Sequence, residues 1–323
     1  MNKILIILPA AMVAAAAFAL VFEFNAPKRE QKDTITILRG ENALQIAGDL
    51  KAEGYIKSKI FFLFELARNG KLQKLKSGEY DLKGLACDAI IDKLVLAQTA
   101  AKTITVVPGW TVKDIAAAIE KAEFAKSGEI LAAAQAGLFK IEYDFLTDAP
   151  ASSTLEGYLF PDTYRVSDDP DADSLVRLML DNFGKKMTSG LRGKINKQNK
   201  TIFDIVTMAS ILEKEVKILE DKKIVAGILY KRIKAEMPLQ ADSTILYAND
   251  GRFDKEIDSR YNTYKYGGLP AGPICNPGQD SIEAAVEPVE TQYWYYLSAP
   301  DGATVFSKNY DEHLANIAKY LNK

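Results

Sequence analysis

The sequence predicts an α+β protein, with small α/β modules near the N-terminus and a larger domain of mixed helices and antiparallel sheet behind them. Apolar residues recur at helical spacing through 171–184, 201–218, 220–236 and 308–322. Strand-like runs fall at Tyr293–Ser298 and Thr304–Phe306, and Pro300-Asp-Gly302 between them is a turn signal. With 323 residues, 48% hydrophobic and 26% charged, the chain is long enough for two or three domains with cores. A net charge of -2, a pI near 5.7 and no basic stripe with interleaved aromatics argue against a nucleic-acid binder.

At the N-terminus, Ile4 to Phe22 is apolar throughout. At about 1.5 Å per residue it nearly matches a hydrocarbon core of about 30 Å, which predicts a transmembrane anchor over 1–22. A cleaved signal peptide is the competing reading, since Ala17-Phe-Ala19 has the small-x-small form of a cleavage site. Either reading exports the rest of the chain. Residues 23–34, with Pro27, Lys28 and Arg29, read as a juxtamembrane linker.

An internal near-repeat follows. Thr36-Ile-Leu-Arg-Gly40 leads to Ile46-Ala47 and Thr105-Val-Val-Pro-Gly109 leads to Ile115-Ala116, with five residues between glycine and isoleucine each time. The implied unit is strand, tight glycine turn and amphipathic helix. Lys76–Leu82 and Ala86–Leu96 read as a strand and a helix completing the first unit, and Glu129 to Ala149 has a helical pattern. The polar, proline-marked stretch Ala149–Ser153 predicts a domain boundary, giving regions 35–150 and 151–323. The second copy of the repeat, Val106–Ala116, resembles a LysM element, a module that binds N-acetylglucosamine polymers. Trp110 within it either stacks on a sugar or covers the module's own core.

Glu213 is the most informative single residue. It closes an apolar helical run, Ile202 to Leu212, whose start is marked by Thr201 and Asp204 in the manner of a capping box. Its helical neighbours Val206, Ala209 and Ser210 are small or apolar, while Thr207, Ser210 and Lys214 form a polar stripe. A carboxyl at the margin of a buried face is held protonated by desolvation and can serve as a general acid. The alternative is a surface ion pair with Lys217, four residues on. Metal and serine chemistry are disfavoured by a single histidine, His313, on a C-terminal amphipathic helix, so no metal and no cofactor is expected. Cys87 and Cys275 are expected to be buried free thiols.

Around Glu213 stand Leu155–Tyr164 upstream and Leu239–Thr244, Tyr261–Tyr264 and Gly268–Gly278 downstream. Together with Ala209-Ser-Ile-Leu-Glu-Lys-Glu215, these blocks resemble, in order and spacing, the endolytic murein transglycosylase (YceG-like) family over residues 34 to 323. The resemblance implies that Glu213 is the catalytic acid of a lytic transglycosylase cutting the bond between N-acetylmuramic acid and N-acetylglucosamine. It makes Glu156, Tyr158, Gln240, Tyr261 and Asn262 candidates for contacting the glycan. It further implies a single-pass protein of the bacterial cytoplasmic membrane with its catalytic domain outside. The implied partners are peptidoglycan strands and wall-synthesis enzymes such as penicillin-binding proteins, and the implied role is to end nascent glycan strands. Two alternatives stay open: a muramidase-type hydrolase using Glu156 or Asp242 as second carboxylate, and a peptidoglycan-binding scaffold without activity.

Overall fold

The computed structural model describes residues 33–38, 40–96, 102–166 and 170–321. The expected anchor over 1–22 lies outside the described residues, as does nearly all of the linker. Among the described residues no helix is long and apolar enough to cross a membrane. The chain divides into two compact units, the first holding Met1–Lys102 and Val166–Asp168 and the second Thr103–Arg165 and Asp169–Lys323. The boundary expected near residue 150 thus falls inside the second unit.

In the first unit, strand β1 (Ile35–Ile37) pairs antiparallel with β2 (Gly78–Tyr80), Thr36 facing Glu79. Helices α1 (Ala43–Ala52) and α2 (Lys59–Arg68) lie between them in sequence, and α3 (Cys87–Val95) follows. The period of two along β1 puts Ile35 and Ile37 into a core with Ile46, Leu50, Phe62, Leu66, Ile90 and Leu94. Gly40 takes a left-handed φ of 92° after the strand, and Asn42 caps α1 in a reciprocal box with Gln45.

The second unit repeats that opening. β3 (Lys102–Thr105), Gly109 at φ 86° and α4 (Val112–Lys121), capped by Thr111 and Asp114, follow in the predicted order. Ile115 and Ala116 are buried, as are Ile46 and Ala47 in the first copy. The helical stretch expected over 129–149 is broken into α5 (Ser127–Ala133), α6 (Ala136–Phe139) and a 3-10 turn at Asp144–Leu146. The cause is a fold-back of the chain: Gln135 bridges to Thr154, and Gly137 approaches Ala151 so closely that a β-carbon would stand 2.7 Å from its carbonyl oxygen.

Strand β4 (Thr163–Val166) pairs with β3, and a helical body follows: α7 (Ala172–Lys186), α8 (Ser189–Lys197), α9 (Ile202–Glu215), α10 (Leu219–Lys234), α11 (Asp242–Ala248) and α12 (Gln279–Val286). The predicted hairpin is present as β5 (Tyr295–Ser298) and β6 (Thr304–Ser307), with Leu297 facing Val305, and α13 (Tyr310–Tyr320) ends the unit. Helix α9 is its axis. Every residue from Ile205 to Leu212 is buried, and α9 packs on α10, α11 and most extensively on α12. Burial of each large apolar side chain here stabilises the unit by about 1.5–3 kcal/mol. The helix stops at Glu215, short of the expected residue 218, because Val216 is extended at φ -140°, ψ 142°. Glu213 therefore sits in the last turn, where a fully enclosed helix emerges.

Candidate active site

Oxygen Oε2 of Glu213 accepts hydrogen bonds from Ser281 Oγ at 2.6 Å, the Gly278 amide at 3.0 Å and Lys222 Nζ at 3.4 Å. Each donor has a clear origin. Ser281 and Gly278 come from the start of α12, where free amide groups point outward, and Lys222 comes from the first turns of α10. The Lys222 and Glu213 side chains are 5% and 13% exposed, so this ion pair is largely withdrawn from water. Oε1 accepts no hydrogen bond among the described residues. One expectation is corrected here: the carboxyl is met by polar donors rather than an apolar pocket. The alternative of a surface ion pair with Lys217 is not formed, since the cation that reaches Glu213 is the buried Lys222. Two members of the polar stripe are internal, Thr207 and Ser210, while Lys214 is exposed, and Ser210 Oγ accepts from the Ile274 amide at 3.0 Å. That bond pins the Gly268–Gly278 loop onto α9.

Glu156 lies in a buried polar knot. Its carboxylate accepts from the Val112 amide at 3.1 and 3.2 Å, from Asn276 Nδ2 at 3.1 Å and from the Tyr247 hydroxyl at 3.2 Å. Burial pushes its carboxyl up to about 7, against the pull of the Val112 and Tyr247 bonds. Asn276 ties the surrounding segments together. Its amide and Nδ2 both donate to the Trp110 carbonyl, its carbonyl accepts from Gly109, and its Oδ1 accepts from Leu159. Gly157 completes the knot at φ 88°, where a β-carbon would stand 2.5 Å from Val206 Cγ1 and 2.7 Å from Pro273 Cβ.

Glu213 lines a cavity of about 520 Å³ with Lys214, Glu215, Asp242, Ser243, Leu246 and Ser298. A second cavity of about 820 Å³ holds Glu156, Tyr247 and Tyr261, and shares Lys214, Ser243 and Leu246 with the first. A third, of about 380 Å³, contains Gln240, Tyr264, Tyr295 and His313 and shares Glu215, Asp242 and Ser298 with the first. Glu215 accepts from Ser243 Oγ at 2.7 Å, and burial pushes its carboxyl above the usual range.

The residues predicted at the site are thus dispersed. Glu156 and Tyr261 line the cavity adjoining that of Glu213, and Gln240 lines the one beyond Glu215. Tyr158 and Asn262 are corrected from glycan contacts to structural residues. Tyr158 is fully buried among Phe145 and Phe183. Asn262 is likewise buried, donating to the Lys255 and Ile257 carbonyls and accepting from the Tyr264 amide. Sequence reasoning missed Lys222 and Ser281, nine and 68 residues from the carboxylate they hold. It also passed over Asn276 as a linking residue, although Asn276-Pro-Gly278 ends the Gly268–Gly278 segment. Among the described residues no group of histidine, cysteine, aspartate and glutamate could hold a metal ion. Cys87 and Cys275 are buried and free.

Comparison with known proteins places this geometry in context. The model of the YceG-like family matches residues 35–319. A Bacillus subtilis protein named endolytic murein transglycosylase is 35% identical over 316 residues, covering 91% of this chain and 87% of that protein. A Streptococcus pneumoniae protein of the same name is 30% identical over 327 residues, and the chain spans 90% of itself but only 58% of that relative. A crystal structure of a YceG-like protein from Listeria monocytogenes matches with a TM-score of 0.61 and 30% identity, over 88% of this chain and 98% of the other. With a family match running through both units, and relatives at this identity covering nine tenths of its length, the chain belongs to the YceG-like family.

Proposed function

We propose that the protein is an endolytic peptidoglycan lytic transglycosylase with Glu213 as its acid and base. The observation that carries this reading is the asymmetry of the Glu213 carboxyl: three donors on Oε2 and none on Oε1, in an open cavity at the end of a rigid helix. Donors on Oε2 keep that oxygen an acceptor, so the catalytic proton rides on Oε1, the oxygen free to reach substrate.

The reaction follows from that arrangement. Oε1–H donates to the oxygen linking N-acetylmuramic acid to N-acetylglucosamine as the anomeric carbon–oxygen bond breaks. The negative charge left on Glu213 is met by Lys222, the Gly278 amide and Ser281, which are in place beforehand and need no rearrangement. The muramic acid 6-hydroxyl then closes on the anomeric carbon and its proton returns to Oε1. A 1,6-anhydro end forms, the acid is regenerated and no water is consumed. Intramolecular attack gives the hydroxyl a large effective concentration over solvent. Glu156 acts in this reading by fixing the cleft wall, since both of its oxygens are already engaged by protein donors.

Several finer features belong to the same proposal. The apolar stretch 4–22 supports a single-pass anchor in the cytoplasmic membrane with the enzyme outside. The twice-used strand, glycine turn and helix supports a LysM-like, glycan-binding region over 35–150, ahead of a catalytic region over 151–323. Tyr261 at the larger cavity and Gln240 at the smaller are the glycan-facing candidates that stay near the cleft, with Glu156 behind Tyr261 as a wall-fixing residue. Partnership with penicillin-binding proteins and a role in terminating strands rest on resemblance alone.

Digestion of uncrosslinked glycan in ¹⁸O-labelled water tests the reaction class. Products one water lighter than hydrolysed strands and free of label support the transglycosylase. Label at new reducing ends would replace it with a hydrolase, and no cleavage would leave the binding scaffold.

A further inference from the structure

The three cavities form a row. The two outer ones share no lining residue, each shares three with the middle one, and Glu213 lines only the middle. We propose that the cavity beyond Glu215 and Asp242 is a distal sugar subsite, in which Gln240 and Tyr310 grip an N-acetylated sugar of the strand held across Glu213. This inference rests on the proposed glycan cleavage and adds to it the place where the far end of the strand binds.

The chemistry of the third cavity suits a neutral, hydroxyl-rich ligand. Its floor is aromatic: Tyr295 stacks on His313 with ring centres 5.1 Å apart and meets Tyr310 at 5.8 Å. Tyr310 is 56% exposed, so its ring offers an apolar plate to the carbon–hydrogen face of a sugar. Arg232, Glu215 and Asp242 on the same walls are already engaged within the protein, Arg232 donating to the Trp294 and Leu239 carbonyls, Glu215 accepting from Ser243 and Asp242 from Tyr264, so no unpaired charge favours an ion over a neutral sugar. Gln240 adds an amide, the natural partner of an N-acetyl group, and its side chain makes no hydrogen bond among the described residues.

The backbone of Gln240 points the same way. Its φ is 54°, a left-handed conformation disfavoured for any residue with a β-carbon. That conformation is held from both sides. The Gln240 amide donates to the Thr263 carbonyl at 3.1 Å, and Arg232 Nη1 donates to the Leu239 carbonyl at 3.0 Å. Glycine would occupy this position without strain, as it would at Glu123, Asn199, Glu236 and Asp250, which share the conformation, and of these five residues Gln240 is the one that lines this cavity.

That reasoning supplies the test. Gln240→Gly removes the amide and relieves the strain together, so the full chain should melt at a higher temperature while reading long strands less well. The measurement is the ratio of kcat/KM on long to short glycan strands of defined length, for the parent, Gln240→Gly and Tyr310→Ala. The expected result is a raised melting temperature for Gln240→Gly and a ratio about five- to tenfold lower for both variants, the loss of roughly one hydrogen bond or ring contact. An unchanged ratio in both folded variants overturns the subsite. Binding of the same long strands to Glu213→Gln, with and without Gln240→Gly, is read independently of catalysis. A parent that fails to cleave glycan would sink the reaction, whereas equal binding with and without the Gln240 change would sink the subsite.

Discussion

Replacing Glu156 by glutamine should change how stability depends on pH, by an amount that follows from its burial. The side chain is 5% exposed and its carboxyl is pushed from 4.5 up to about 7 by desolvation. Below about pH 4.5 the folded and unfolded chains both carry the proton. Between about 4.5 and 7 the unfolded chain has released it while the folded chain keeps it, and each pH unit removes about 1.4 kcal/mol of stability. Above about 7 both states are ionised and the loss is complete, at about 3 kcal/mol. Glutamine has nearly the same shape, accepts from the Val112 amide and does not titrate. Relative to the parent, Glu156→Gln should therefore gain about 3 kcal/mol between pH 4.5 and 7.5. Glu215, also raised by burial, titrates in both proteins and cancels in the difference. Urea unfolding followed by circular dichroism at half-unit pH steps measures this. A difference that stays flat across the window, or that moves in favour of the parent, would refute the argument from burial.

Other consequences follow from the donors around Glu213 and the packing behind it. Ser281→Ala removes a 2.6 Å hydrogen bond to Oε2 and should lower kcat about five- to tenfold with little change in KM, as read by steady-state kinetics on glycan strands. Lys222→Met removes the ammonium that donates to Glu213 Oε2 and should destabilise the protein by about 1.5–3 kcal/mol, the worth of a hydrogen bond from a charged group. The same change on a Glu213→Gln background should cost at least about 1 kcal/mol less, and additive losses in that cycle would deny the coupling. Gly157→Ala forces a β-carbon against Val206 and Pro273 at a left-handed φ and should destabilise by about 3 kcal/mol or more, with a folded, stable variant as the contrary result.

Local chemistry made much of this architecture legible in the sequence. Thr201 and Asp204 form the expected reciprocal cap, and the Pro300-Asp-Gly302 turn joins the expected pair of strands. The glycine-to-isoleucine spacing marked the two strand-turn-helix units, because Gly40 and Gly109 both need a positive φ. What escaped was set by distant contacts. Ser210 reads as surface-facing from helical period alone, and only the folded Ile274 amide makes it an internal acceptor. The short helices Asp242–Ala248 and Gln279–Val286 lack a long apolar period, yet the second supplies Ser281 to Glu213. Tyr158 and Asn262 stand in the right blocks, but the sequence carries no sign of which polar side chains turn inward. Lys217 is the cation that helical spacing offers to Glu213, whereas the fold reverses direction after Val216 and brings Lys222 instead.

The central claim is that Glu213 is the proton donor of a reaction that ends in an anhydro sugar. Mass spectrometry of the muropeptides released from uncrosslinked glycan, comparing the parent with Glu213→Gln, tests it most directly. The predicted result is 1,6-anhydro-muramic ends from the parent and a rate lower by about a hundredfold or more from the variant, which keeps the shape and lacks the acid. Anhydro ends released by Glu213→Gln at the parental rate, or reducing ends released by the parent, would contradict the account.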